Sequence, residues 1–317
     1  MKFLVTGANG FVGRAVWQRL NAMSGVQAVA AVRRVDALTE PGASVVMVGD
    51  LSVQTDWSSA LPGVDAVVHA AARVHVMQDA ATDPLAEYRR VNVQGTLHLA
   101  REAAAAGVKR FVFLSSVKVN GEFTTAGRSF SADDLPAPQD PYGISKMEAE
   151  AGLREIAAQS GMEVVIIRPP LVYGPEVKAN FAAMMHWLAR GVPLPLGAVT
   201  HNRRSLVALD NLVDLITTCL SHPAAAHQAF FVSDGEDLST ADLLRRTGVA
   251  LGQPARLFYV PTALLKLGAT VARKPGIYQR LCGSLQLDIT KTRRLLQWTP
   301  PLSVDEGLRR AAEGFRV

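Results

Sequence analysis

The sequence predicts an α/β protein, a doubly wound parallel sheet followed by a smaller C-terminal domain. Three observations lead there. Short β-branched runs alternate with longer amphipathic stretches through the first half of the chain, the order that yields parallel strands with helices on both faces. The runs are apolar throughout and bounded by turn residues, as strands buried on two sides must be. Three glycines, Gly7, Gly10 and Gly13, stand where the first run gives way to the first amphipathic stretch.

Taken in order, strands are expected at residues 3–6, 28–32, 45–48, 66–69, 111–115 and 164–167, with helices at 12–23, 84–106 and 142–159. After Arg168-Pro169-Pro170 the rhythm breaks: prolines and glycines cluster through 191–197 and short helices follow. Residues 1–170 therefore read as one domain. Residues 171–317 read as most of a smaller one, with some elements returning to the sheet. A helix at 263–272 is expected to pack within the small domain, because it lacks the strongly cationic face of a membrane-surface helix. Trp298 is expected to anchor the C-terminal segment there.

Composition narrows the function. The 317 residues carry a formal net charge of +5, which suits a phosphate-bearing ligand. The basic residues come in scattered pairs (Arg33-Arg34, Arg203-Arg204, Arg293-Arg294), not runs, so no nucleic-acid partner is expected. Cys219 and Cys282 are far apart, without a CxxC or a His cluster, which argues against a disulfide framework or a metal site and for a reducing compartment. Residues 1–7 run straight into a strand and a turn, without the pattern of a secretory signal. No apolar run approaches the ~20 residues that span a bilayer. A cytoplasmic protein without stable membrane insertion is the expectation.

The glycine turn is the first functional signal. Gly7-Ala8-Asn9-Gly10-Phe11-Val12-Gly13 lies between strand and helix. Its first two glycines permit a tight turn and close approach to a pyrophosphate, and the third lets helix pack on strand. The helix start then offers free N–H groups to phosphate. This is the Rossmann-type signature of a dinucleotide site. The second strand ends in Arg33-Arg34 where such sites usually carry a carboxylate. A guanidinium there suits a 2′-phosphate, so NADP is favoured over NAD. Asp50 falls where an adenine contact is expected, and Asn92 on the helix passing under the cofactor.

The second signal is Asp140-Pro141-Tyr142-Gly143-Ile144-Ser145-Lys146, which reads as a capped helix start. Tyr142 and Lys146 are four apart and share a face. An ammonium beside a phenol is expected to lower the phenol's pKa. Ser115-Ser116, at the C-terminal end of the fifth predicted strand, place a hydroxyl where ligands bind such sheets.

With these residues in place the chain resembles the extended short-chain dehydrogenase/reductase family, in its nucleotide-sugar epimerase/dehydratase branch. The likeness rests on TGANGFVG at 6–13, Gly49-Asp50-Leu51, His69-Ala70-Ala71-Ala72, Val91-Asn92-Val93-Gln94-Gly95-Thr96, Ser115-Ser116 and the Tyr142 segment. Further along it rests on Arg168-Pro169-Pro170, Val172-Tyr173-Gly174-Pro175, and Asp288-Ile289-Thr290-Lys291 leading to Trp298. It implies Tyr142 as acid/base, Lys146 on the nicotinamide ribose and Ser116 on the substrate oxygen. It also implies a cofactor surface that includes Phe11, Val12, Leu51, Ala70, Ala71, Ala72, Ser115 and Pro169. Asn180 and Arg203 would hold the nucleotide diphosphate, and a homodimer is implied.

Sugar 4,6-dehydratases of this family carry an acidic pair after the strand-end hydroxyl. Val117 and Lys118 stand there instead, so dehydration is not expected. A 4-epimerase with tightly bound NAD and a 4-keto reductase with exchangeable NADPH remain. The stretch at 115–121 and Ala72-Arg73-Val74-His75-Val76 look like O-antigen reductases that convert a UDP-linked 4-keto-6-deoxy-N-acetylhexosamine to UDP-N-acetylquinovosamine. Lys118, Arg73 and His75 are candidates to reach substrate, whereas His69 reads as packed at a strand end. A non-catalytic NADP-binding sensor and an oxidoreductase for a hydrophobic alcohol are the rival readings.

Overall fold

The computed structural model describes residues 1–34, 44–74, 83–125 and 127–315. The first half runs β1 (Lys2–Thr6), α1 (Phe11–Asn21), β2 (Gln27–Val32), β3 (Ser44–Met47), β4 (Ala66–His69), α2 (Pro84–Tyr88), a π-helical stretch (Arg89–Gly95), α3 (Thr96–Ala105), β5 (Arg110–Leu114), a 3₁₀ turn (Val117–Val119), α4 (Pro141–Ser160) and β6 (Glu163–Arg168). The second half adds β7 (Leu171–Tyr173), α5 (Ala179–Ala189), β8 (Arg204–Ala208), α6 (Leu209–Ser221), β9 (Ala229–Phe231), β10 (Asp237–Leu238) and α7 (Thr240–Ala250). It ends with α8 (Thr262–Val271), α9 (Pro275–Cys282), α10 (Thr290–Leu296) and α11 (Val304–Glu313).

Seven strands form one sheet in the order β3-β2-β1-β4-β5-β6-β9, and every neighbouring pair is parallel. Side chains alternate between its faces, as a period of two requires. Phe3, Val5, Ala28, Ala30 and Val112 join α1 and α6 in one core. Leu4, Val29, Ala31, Phe111 and Phe113 join α3 and α4 in the other. The chain walks outward from β1 to β3, then restarts with β4 on the other side of β1. The crevice above the C-terminal ends of β1 and β4 is therefore the switch point at which open parallel sheets take ligands. β9 comes from the second half of the chain. A smaller sheet, β10-β8-β7, stands apart from the main one.

Three expectations need correction. The helix expected at 84–106 is interrupted by the π-helical stretch, whose Gly95 lets Leu51 approach: a Cβ there would come within 2.7 Å of the leucine side chain. Trp298 packs in the main-sheet core and donates its indole N–H to Asp214 Oδ2 on α6 at 2.8 Å, so it anchors the C-terminal segment to α6. The helix at 262–271 packs on the small domain by one side only, through Leu265, and none of its residues is fully buried. Its apolar side chains look the same in sequence whichever way they face. Among the described residues no helix is long and apolar enough to cross a membrane.

Candidate active site

The glycine turn closes over the end of β1. Gly7 has φ +65°, a left-handed conformation that favours glycine, and its carbonyl accepts from Gly10 N at 2.8 Å. A Cβ at Gly7 would come within 2.8 Å of Ala71 N, and one at Gly13 would overlap the Gly7 carbonyl. The turn is thus wedged between the chain leaving β4 and the first turn of α1. Thr6 reinforces the junction: its Oγ1 accepts from Ala71 N at 3.2 Å and lies 2.7 Å from His69 Nδ1. Gly10 caps α1 with no side-chain hydrogen bond, and the first helical turn holds no acidic residue. These N–H groups fit an anion such as a pyrophosphate. Asn9, Gly10 and Phe11 also border a cleft of about 540 Å³ between α1 and α6; Ser116, Tyr142 and Lys146 are not in its walls.

The catalytic candidates meet at the end of β5. Asp140 caps α4, accepting from Gly143 N at 2.7 Å, and Pro141 follows. Tyr142 and Lys146 therefore start one helical turn apart on the same face. Lys146 is buried and donates to the Leu114 carbonyl, the last of β5, at 2.8 Å. Its Nζ lies 4.4 Å from the centre of the Phe113 ring and 5.9 Å from that of Tyr142. Ser116 caps the 3₁₀ turn, its Oγ accepting from Lys118 N. Gly143 brings that turn to α4: a Cβ there would come within 2.7 Å of the Lys118 carbonyl oxygen. Pro169 supports the turn from below, accepting from Val117 N at 3.0 Å.

The electrostatics differ from the simplest expectation. Burial pushes the Tyr142 phenol up, and Asp140 and Tyr88 add to the shift. Burial pulls the Lys146 ammonium down to about 7, with Glu150 opposing. Lys146 therefore does not depress the phenol here. Desolvation of Tyr142 itself is the largest cause of its shift. Tyr142 is held as a proton donor.

Other candidates fall into place around this centre. Arg33 and Arg34 are exposed at the end of β2, and Arg33 Nη1 lies 3.7 Å from Asp50 Oδ1. Leu51 packs on the π-helical stretch. Asn92 is buried, accepts from Arg73 N at 2.8 Å and donates to the Arg73 carbonyl and Ser145 Oγ. Its amide is thus used in holding the chain at Arg73 to Ser145 of α4. Ser115 Oγ donates to Glu150 Oε1 at 2.6 Å, which leaves the backbone as its contribution to the crevice. Lys118 Nζ bonds Glu122 and Asp140. Burial works against that ammonium, but the two carboxylates outweigh it and raise its pKa. Lys118 is thus held by two carboxylates of the protein. His69 lies between the Thr6 and Thr96 hydroxyls, and burial lowers its pKa to about 3. His75 lies outside the described residues.

Asn180 is exposed in the first turn of α5. Arg203 is exposed too, its Nη1 folded back onto the Thr200 and Asn202 carbonyls. The sequence gives no reason to choose its neighbour, yet Arg204 is the more enclosed. Its guanidinium donates to the Gly283 carbonyl and its pKa is lowered by burial, with no ion pair among the described residues. Other residues are legible only in three dimensions. Tyr88 stands edge-on to Tyr142 with ring centres 6.0 Å apart, and Arg73 lies 5.6 Å from the Tyr88 ring centre. Glu150 pairs with Arg168 in full burial.

Comparison with known proteins agrees with this architecture. Residues 3–232 match the family described as the NAD dependent epimerase/dehydratase family. A Vibrio cholerae protein named UDP-glucose 4-epimerase is 47% identical over 312 residues, covering 98% of this chain and 94% of the relative. A Pseudomonas aeruginosa GDP-6-deoxy-D-mannose reductase is 33% identical over 181 residues, 57% of this chain and 55% of the relative. Among solved structures, Bacillus cereus UDP-glucuronic acid 4-epimerase in complex with NAD superposes with a TM-score of 0.80 at 22% identity, covering 99% of this chain and 98% of that one.

Proposed function

The chain belongs to the NAD dependent epimerase/dehydratase family, and from that membership we propose that it is an NADPH-dependent reductase of a nucleotide-linked 4-keto sugar. The substrate is a UDP-linked 4-keto-6-deoxy-N-acetylhexosamine and the product UDP-N-acetylquinovosamine, for surface polysaccharide in the cytoplasm. The observation that carries the reading is Arg33 beside Arg34 at the end of β2, both exposed. Two guanidinium groups suit the 2′-phosphate that distinguishes NADPH. Among the described residues Arg33 pairs with the Asp50 carboxylate, a long, solvent-exposed ion pair, weak enough for a phosphate to displace.

When bound, the reduced nicotinamide supplies the hydride. Tyr142 gives its phenolic proton to the ketone oxygen, a role favoured by the burial that keeps it protonated. Ser116 Oγ steadies the charge developing on the same oxygen. Lys146, held by the Leu114 carbonyl, would bind the nicotinamide ribose, and the phenolate left on Tyr142 takes a proton back from water after product leaves. Arg204, with Arg203 and Asn180 nearer the surface, holds the diphosphate. Dehydration is disfavoured because Val117 has no proton to move and Lys118 is bound to two carboxylates.

The test offers NADPH or NADH with a panel of UDP-4-keto sugars. Oxidation of one NADPH per sugar supports the reductase. A second reading, a 4-epimerase with tightly held NAD, is favoured by the name of the 47% identical relative. It would show as epimer interconversion without net cofactor oxidation.

A further inference from the structure

Residues 258–277 carry six of the sixteen large apolar side chains that stand exposed among the described residues: Phe258, Tyr259, Leu264, Leu267, Val271 and Ile277. On α8, Leu264, Leu267 and Val271 recur three and four apart and so form one stripe; they are 56%, 59% and 77% exposed. Leu265 points elsewhere, packing against the buried cluster that holds Leu188, Leu194 and Leu244. α8 is therefore seated on the protein by one side and offers a second apolar side to its surroundings. A patch of this kind on an otherwise polar surface marks an interaction site.

Charge identifies what it meets. Between Asp242 and Asp288 the chain has seven basic residues and no carboxylate. Arg245 and Arg246 pair with Asp242 and Glu236. The other five, Arg256, Lys266, Arg273, Lys274 and Arg280, are exposed and form no ion pair among the described residues. These five charges equal the net charge of the whole chain, +5, so the rest of the protein is balanced.

We propose that the α8–α9 face docks on an anionic lipid bilayer. A second copy of this chain would set the five cations against five more across a two-fold contact. A soluble anion or nucleic acid offers nothing to the leucine stripe. An anionic interface takes both, burying apolar tips at the headgroup–acyl boundary and attracting the flanking cations. α8 is ten residues, roughly 15 Å, so it lies in the interface and does not cross. The cations sit mainly at the ends of α8 and on α9, which is why α8 read alone lacks a cationic face. The proposal is independent of which sugar reaction the protein catalyses.

The test is co-sedimentation of the full chain with phosphatidylcholine vesicles, with and without phosphatidylglycerol. Retention is expected on the anionic vesicles, about tenfold above the neutral ones, and should weaken as salt shortens the reach of the charges. Leu264→Ser with Leu267→Ser, and separately Lys266→Glu with Lys274→Glu, should each lower retention about tenfold while melting temperature and turnover stay as in the parent. Equal partition to both vesicle types, undiminished binding by the leucine double variant, or self-association in place of vesicle binding would each overturn the proposal.

Discussion

Lys146 donates to the main-chain carbonyl of Leu114 at 2.8 Å, so α4 is tied to the end of the strand that leads into Ser115 and Ser116. One bond fixes the helix register against the strand end. Tyr142 lies one turn earlier on the same face of α4. The reaction proposed above depends on that juxtaposition.

Tyr142→Phe removes the proposed proton donor, while the ring still packs edge-on against Tyr88. Turnover should fall about 10²-fold or more, with the NADPH dissociation constant unchanged in a fluorescence titration. Undiminished turnover would remove Tyr142 from the mechanism.

Arg33→Asp places a carboxylate where the 2′-phosphate is proposed to bind. The ratio of kcat/KM for NADPH to that for NADH should drop about tenfold or more, since a charge-assisted contact becomes a repulsion. A ratio equal to the parent's would remove the arginine pair from cofactor selection.

Glu150→Gln breaks the buried ion pair with Arg168 and the bond from Ser115. Stranding the guanidinium should cost about 3 kcal/mol or more in a urea titration. Arg168 keeps its bonds to Asn120 and the Ala132 carbonyl, which limits the loss. A change below about 0.5 kcal/mol would mean that this network does not support the strand end.

His69 sets an acid limit on stability. Its pKa falls from 6.5 to about 3 on burial, so between these values the unfolded chain binds a proton that the folded chain does not. Stability is then complete above pH 6.5 and declines as pH falls toward 3, by about 2 kcal/mol between pH 6.5 and 5. Urea midpoints of the parent and His69→Gln, compared across that range, should converge at low pH. Parallel pH profiles would contradict the assignment.

The sheet is legible in the sequence because its strands are buried on both faces and read as apolar runs; Ala66–His69 could be bounded to the residue. The start of α4 is legible because its cap at Asp140 and the four-residue spacing of Tyr142 and Lys146 are local. What stays hidden is tertiary. Lys118 meets Asp140 across 22 residues, and Glu150 meets Arg168 across 18, so nothing along the chain shows that one charge is locked and the other buried. The sign of the Tyr142 shift is hidden for the same reason, since desolvation depends on what covers the ring. The outward stripe of α8 is a composition that would serve equally well in a core.

The most direct measurement follows the hydride itself. In a single turnover with NADPH deuterated at the transferable position of its nicotinamide, and the UDP-linked 4-keto-6-deoxy sugar, the account predicts one deuterium at C4 of the product and one equivalent of NADP⁺ released. Product without the label, or interconverting C4 epimers with the cofactor retained on the protein, would contradict it.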